Sequence, residues 1–187
     1  MLKVIVGSMF AGKSTRLQDE GKQAIEEGKR VLFIKPDMDD RYATDLIVTH
    51  DGKSVKALSL SAHTPSQMWP LVNDYDVFCF DEVQFFSINI VNLIKAISVL
   101  NKQAIVSGLD LTFAEKPFVT MELLLGYADE VVHLHAECAV CKEPSYISAR
   151  REGFDTETEV VLGSEDMYHP LCETCYRKTP TGRANHE

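Results

Sequence analysis

Leu2-Lys3-Val4-Ile5-Val6-Gly7-Ser8-Met9-Phe10-Ala11-Gly12-Lys13-Ser14 decides the fold. A short apolar, β-branched run leads into glycine, four variable residues and Gly-Lys-Ser. Helix-forming residues then continue from Thr15 to about Glu27, with a stop signal at Gly28. Strand, loop and helix in that order are the context in which Gly-x-x-x-x-Gly-Lys-Ser is a phosphate-binding loop. Such a loop turns successive backbone N–H groups towards one point and sets a helix N-terminus behind them, so it binds anions. Lys13 adds a point charge for the β- and γ-phosphates, and the Ser14 hydroxyl is placed to hold Mg2+. The expected ligand is a nucleoside triphosphate, held by Gly7, Ser8, Met9, Phe10, Ala11, Gly12, Lys13, Ser14 and Thr15.

Further strand-like runs follow at Val31–Ile34, Val77–Phe80, Ala104–Ser107 and Val131–Leu134. Helical candidates lie between them at Ser66–Val72, Ile88–Asn101 and Thr120–Tyr127. Nearly continuous apolar strands alternating with helices predict an α/β domain over residues 1–136, a parallel sheet covered on both faces. Composition changes at Cys138, and the rest has too few apolar runs for a core without a staple. The tail over 179–187 is polar and expected to be disordered.

The chain has 187 residues, 45% of them hydrophobic, and a formal charge of −9. That acidic balance argues against a broad nucleic-acid or anionic-membrane surface. No run approaches the roughly 18 apolar residues of a membrane span. With the first strand at Leu2, no leader is expected, and a cytoplasmic enzyme is the default.

Two C-x-x-C pairs, Cys138/Cys141 and Cys172/Cys175, flank residues 142–171. Two such knuckles suit a tetrahedral zinc ribbon. Disulfides are disfavoured in a reducing cytosol, and neither pair sits at a thioredoxin-like strand-to-helix junction. His169 lies three residues before Cys172, but four cysteines leave it no vacancy. Cys79, inside an apolar run, reads as a core thiol.

The second chemical element is Phe80-Asp81-Glu82-Val83-Gln84-Phe85-Phe86. An acidic residue ending an apolar strand is where a phosphate-loop protein holds Mg2+, and Asp81 fits. Glu82 could serve as general base towards a substrate hydroxyl or towards water. These residues alone leave both open.

Taken together, the motifs resemble the type II thymidine kinases, the phosphate-loop and zinc-ribbon kind. Gly7–Ser14 matches that family's Gly-x-Met-Phe-(Ser/Ala)-Gly-Lys-Ser/Thr, and Asp81–Phe86 its Asp-Glu-x-Gln-Phe-Phe. Leu109-Asp110-Leu111-Thr112-Phe113-Ala114-Glu115-Lys116-Pro117-Phe118 matches Leu-Asp-x-Thr-Phe-x-x-Lys-Pro-Phe. Lys35–Tyr42, Thr49-His50-Asp51 and the Gly163–His169 element are similar too, in order along nearly the whole chain.

The resemblance implies transfer of the ATP γ-phosphoryl group to the 5′-hydroxyl of thymidine, with deoxyuridine as a further acceptor. It implies that Ser14 and Asp81 organise Mg2+, that Glu82 accepts the 5′-OH proton and that Arg41 stabilises the transferring phosphoryl. Asp39, or its neighbour Asp40, sits beside them. An apolar thymine pocket would use Met9, Phe85, Leu109, Phe113 and Phe118, residues that periodicity alone would place in the core. A lid over residues 137–178, stiffened by structural Zn2+, would close Thr158–Tyr168 over the nucleoside. There Val160, Val161, Leu162 and Gly163 would lie near the base and Tyr168 near the sugar. Ser148 stands where the family often has Thr, and Ser8 where it often has Pro. The resemblance also implies a homo-oligomer, commonly a tetramer, and restraint by thymidine triphosphate.

Two other classes compete. A phosphate-loop ATPase switch carrying a ribbon would consume ATP without nucleoside and gives Phe113–Phe118 no role. A nucleic-acid-binding ribbon would be basic, yet residues 138–175 carry Lys142, Arg150 and Arg151 against eight acidic side chains. His133 and His135 read as core-edge residues, and Trp69 as packing.

Overall fold

In β1 (Leu2–Val6), Val4 and Val6 enter one apolar cluster while Ile5 enters another. That alternation is the period-2 geometry of a strand buried on both faces. The computed structural model describes residues 1–37, 45–49, 52–151 and 167–184.

From β1 the chain passes through the phosphate loop into α1 (Lys13–Glu26), then β2 (Val31–Pro36). A small hairpin of β3 (Leu46–Val48) and β4 (Ser54–Lys56) precedes β5 (Leu58–Leu60). The main domain continues with β6 (Val77–Phe80), α2 (Asn89–Val99), β7 (Gln103–Gly108), α3 (Val119–Tyr127) and β8 (Glu130–His133). Six strands form one sheet in the order β5-β2-β6-β7-β1-β8, and every pairing is parallel.

One face packs against α2 and α3 through Val4, Val6, Phe78, Phe80, Ile94, Ile97 and Leu124. The other packs against α1 through Ile5, Leu17, Phe33, Cys79 and Ile105. Each fully buried large side chain contributes about 1.5–3 kcal/mol, so the doubly covered sheet supplies most of the apolar stabilisation. Cys79 is the expected core thiol, and burial raises its pKa far above the ordinary range.

Several elements differ from expectation. Pro65–Asp74 is a 3-10 segment and not the α-helix expected over 66–72, because Pro70, inside it, withholds an N–H from the i→i−4 ladder. The edge strand β5 and the β3–β4 hairpin were not anticipated. His133 and His135 are exposed, and His135 lies against the Tyr146 ring. Trp69 is half-exposed, lining a shallow surface depression with His63, Asn89 and Asn92.

The C-terminal part pairs β9 (Ala136–Glu137) with β10 (Pro144–Ser145), and β11 (Ile147–Arg150) with β12 (Tyr168–Leu171), both antiparallel. A short α4 (Glu173–Tyr176) follows β12 directly, so Cys172 and Cys175 stand at a strand-to-helix junction after all, though one of a two-stranded antiparallel ribbon and not of a thioredoxin-like sheet. Within the tail expected to lack structure, α5 (Pro180–Ala184) forms, with the Gly182 N–H donating to Thr179 Oγ1 at 3.0 Å. Among the described residues, no helix is long and apolar enough to cross a membrane.

Candidate active site

The phosphate loop joins β1 to α1. Gly12 takes the left-handed conformation at the N-cap, φ 78°, so α1 begins at Lys13, two residues earlier than expected. Gly7 lies so close to β8's exit that an added Cβ would stand 2.3 Å from the Leu134 carbonyl oxygen. Lys13 is buried, and its Nζ donates to the Ser8 carbonyl at 2.8 Å, across the loop. Burial pulls its ammonium down from the usual lysine range, and the carboxylates of Glu82, Asp81 and Asp110 oppose that pull. Four charged groups thus converge on one point. Asp110 belongs to the Leu109–Phe118 motif, which by itself assigns it no role.

Asp81 follows β6 at its C-terminal end and is buried. Burial, and then the adjacent Glu82 carboxylate, push its carboxyl up to about 6. Hydrogen bonds from Ser107 and Ser14 and the Lys13 charge work the other way. The Ser14 hydroxyl and the Asp81 carboxylate are therefore neighbours, an oxygen pair of the kind that suits Mg2+. Glu82 itself has a left-handed backbone, φ 50° and ψ 42°, and opens the turn Val83–Phe85.

The expected thymine-pocket residues fall into two groups. Met9, Phe85 and Leu109 are half-buried near the loop and the Glu82 turn, and Phe113 is buried. Phe118 packs against the main core. Residues 109–118 fold back on themselves: the Phe118 N–H donates to the Asp110 carbonyl at 2.9 Å, and the Thr112 N–H to the Lys116 carbonyl at 2.8 Å.

The C-terminal ribbon closes one side of the site. The Met9 N–H donates to Ser148 Oγ at 2.8 Å, and Ser8 Oγ donates to the Ser145 carbonyl at 3.2 Å. The Tyr176 hydroxyl donates to the Phe113 carbonyl at 2.9 Å. The Arg150 guanidinium lies 4.1 Å from the Phe113 ring centroid and 5.8 Å from that of Tyr168. In the sequence Arg150 reads only as a charge; a cation–π contact leaves no signature in sequence spacing. Arg41, Asp39, Val160, Val161, Leu162 and Gly163 lie outside the described residues.

The sulfurs of Cys138, Cys141, Cys172 and Cys175 lie within 4.8 Å of one another, with Cys141 and Cys172 at 3.5 Å. Thiolates around zinc stand about 3.8 Å apart, the edge of a tetrahedron with Zn–S of about 2.3 Å, so the donor set fits zinc. Burial opposes ionisation of Cys138, but the N–H groups of Cys141, Cys172 and Val140 outweigh it and draw the thiol down to about 6. Hydrogen bonding to Cys172, then burial and the other two cysteines, drives Cys175 up to about 12. Sulfurs crowded in this way ionise together only around a cation. The cluster can bind structural zinc; His169 is not part of it.

The profile of one family, described as thymidine kinase, matches residues 1–176. The chain belongs to the thymidine kinase family. A thymidine kinase of Rhodothermus sp. (strain ITI 518) is 36% identical over 176 residues, covering 94% of this chain and 81% of the relative. Among solved structures, the replication initiator DnaA bound to AMPPCP and single-stranded DNA gives a TM-score of 0.46 at 19% identity, over 72% of this chain. The chain spans only 40% of that protein. AMPPCP-bound DnaA from Aquifex aeolicus gives 0.43 at 19% identity, over 71% of this chain and 39% of that one. Those two likenesses are distant and carry no weight here. As a member of the thymidine kinase family, the protein is a kinase with a parallel α/β core and a ribbon bearing a candidate zinc site.

Proposed function

We propose that this kinase transfers the γ-phosphoryl group of ATP to the 5′-hydroxyl of thymidine, and of deoxyuridine, yielding the nucleoside monophosphate. One observation carries the reading: Lys13, Asp81 and Glu82 converge beside the phosphate loop in a chain whose family match runs through the ribbon to residue 176. The loop amides and Lys13 hold the phosphates, while Ser14 and Asp81 hold Mg2+, which neutralises charge on the β- and γ-oxygens when bound. Glu82 accepts the proton of the 5′-OH, and Arg41 and Asp39 complete the phosphoryl site. Phosphoryl transfer needs positioning and electrostatics more than covalent help, and this site is built of those. An ATPase switch is not favoured, since it gives no role to the Leu109–Phe118 motif or to the ribbon docked on it.

Met9, Phe85, Leu109 and Phe113 form the thymine pocket, Ser148 and Tyr168 border it, and the segment from Val160 to Gly163 reads the base edge through main-chain groups. Assembly with further copies is supported by exposed apolar side chains near the ends of α2 and α3, with Val99 80%, Val119 60% and Tyr127 50% exposed. The four-thiol cluster supports a reducing, cytoplasmic setting. Thymidine triphosphate, combining the nucleoside with a triphosphate, suits the same site as a feedback ligand.

ATP-dependent phosphorylation of thymidine, deoxyuridine, deoxycytidine and deoxyadenosine, assayed side by side, tests the reading. Thymidine is expected to lead with purines rejected on size; ATP consumption independent of nucleoside overturns it. Glu82→Gln is expected to lower kcat by about 10²–10⁴.

A further inference from the structure

We infer that Gln84 is a positioning residue that holds the Glu82 carboxylate and ties it to the nucleoside-facing loop. Its side-chain amide is spent in two directions. Nε2 donates to Glu82 Oε2 at 2.5 Å, and Oε1 accepts the Leu109 N–H at 3.1 Å. The second bond fixes the orientation of the amide: the oxygen must face the Leu109 N–H, so the NH2 group faces the carboxylate. Gln84 is buried, 6% exposed, which removes competition from water for both bonds.

The surroundings are shaped to admit this side chain. A Cβ on Gly108 would stand 2.5 Å from Gln84 Oε1 and 2.9 Å from Met121 Sδ. Glycine at the end of β7 is thus what lets the amide reach the next residue's N–H. Glu82 needs such a brace. Its left-handed backbone, φ 50°, is unfavourable for a residue with a Cβ, and a carboxylate on a short turn has several rotamers open to it. Holding Oε2 narrows the directions in which the carboxylate can point. Because the same amide grips Leu109, a wall of the nucleoside pocket and the base move as one piece.

This inference rests on the reading of Glu82 as the base, and a double-mutant cycle separates the two. Gln84→Met keeps the volume and removes both bonds. It is expected to lower kcat for thymidine by about 10- to 100-fold, the effect of a base misplaced by about 1 Å, with KM for ATP within about twofold. In a Glu82→Gln background, adding Gln84→Met is expected to change kcat by less than about twofold, since the group it positions is already gone. Gln84→Glu retains the acceptor for Leu109 and loses the donor to Glu82. It is expected to lower kcat and to move the acid limb of its pH profile upward, because a second carboxyl now faces Glu82, a change that a loss of folding alone does not produce. Equal losses from Gln84→Met in both backgrounds, or full turnover in Gln84→Glu, overturn the inference. Full turnover in Glu82→Gln alone overturns the reading of the base, and the inference with it.

Discussion

The Met9 N–H, in the phosphate loop, donates to the Ser148 hydroxyl of the ribbon at 2.8 Å across 139 residues of sequence. A loop amide is thereby committed to the ribbon, and the neighbouring Ser8 side chain makes a second link to Ser145. The ribbon thus braces the phosphate loop. Ser148→Ala leaves a half-buried N–H without its acceptor, so a loss of about 1–2 kcal/mol in unfolding free energy is expected, with a raised KM. Ser148→Thr supplies the same oxygen and should restore both. Denaturant melts and steady-state kinetics on the two variants decide it; an Ala variant equal to wild type in both would show that the bond contributes nothing.

Zinc removal should act through the same joints. The ribbon's own apolar cluster is small, with Cys138, Ile147, Ala149, Leu171 and Tyr176 buried in it, so a zinc ion held by the four cysteines would be its main staple. Elemental analysis of reduced protein should give one zinc per chain. Chelation should abolish thymidine turnover before it alters the far-ultraviolet signal of the sheet, because β1 to β8 have separate cores. Zinc-free protein with full activity would contradict this.

Legibility followed burial and local chemistry. The five strands visible as apolar runs are those at the centre of the sheet and β8, where both-face burial or β-branching dominates composition. Strand β5 is only Leu58-Ser59-Leu60 at an edge, too short and too polar in the middle to stand out. The phosphate loop and the four cysteines were readable because their chemistry is local and their spacing rigid. Gln84 and Arg150 were not, since the partners that give them meaning, Leu109 for one and Phe113 for the other, come together only in three dimensions. Over 66–72 the composition favours a helix, but Pro70 removes an N–H from the ladder and the segment tightens to 3-10 geometry.

Gly7 should be the least replaceable glycine of the loop. A Cβ there meets main-chain atoms of Leu134, which cannot rotate away, and φ is 155°. Gly7→Ala is expected to cost about 2–4 kcal/mol by forcing β1 and the β8 exit apart, with ATP affinity lost alongside. Gly28→Ala meets nothing within 4 Å and pays only for its left-handed φ of 83°, about 1 kcal/mol. Urea melts of the two variants should differ clearly; equal losses would show that the Leu134 contact is not limiting.

Asp81 should trade stability for function in a pH-dependent way. Its carboxyl sits at about 6 in the folded chain, against an ordinary 3.8. The native state therefore binds this proton more tightly than the unfolded chain does, and ionising the group costs stability. The cost is absent below about pH 4, grows as pH rises towards 6 and is complete above it. Asp81→Asn keeps an acceptor for the Ser107 hydroxyl and removes the buried charge, while Glu82 and Asp110 remain near Lys13. Without added nucleotide or Mg2+, the variant should be more stable than wild type at pH 8 by about 1–3 kcal/mol, a margin that shrinks as pH falls from 6 towards 4. Turnover should fall by about 10² or more, since the carboxylate proposed to hold Mg2+ becomes a neutral amide. Unfolding free energies at several pH values test the argument. A variant less stable at pH 8, or a margin independent of pH, would mean that Lys13 already neutralises Asp81 in the folded chain.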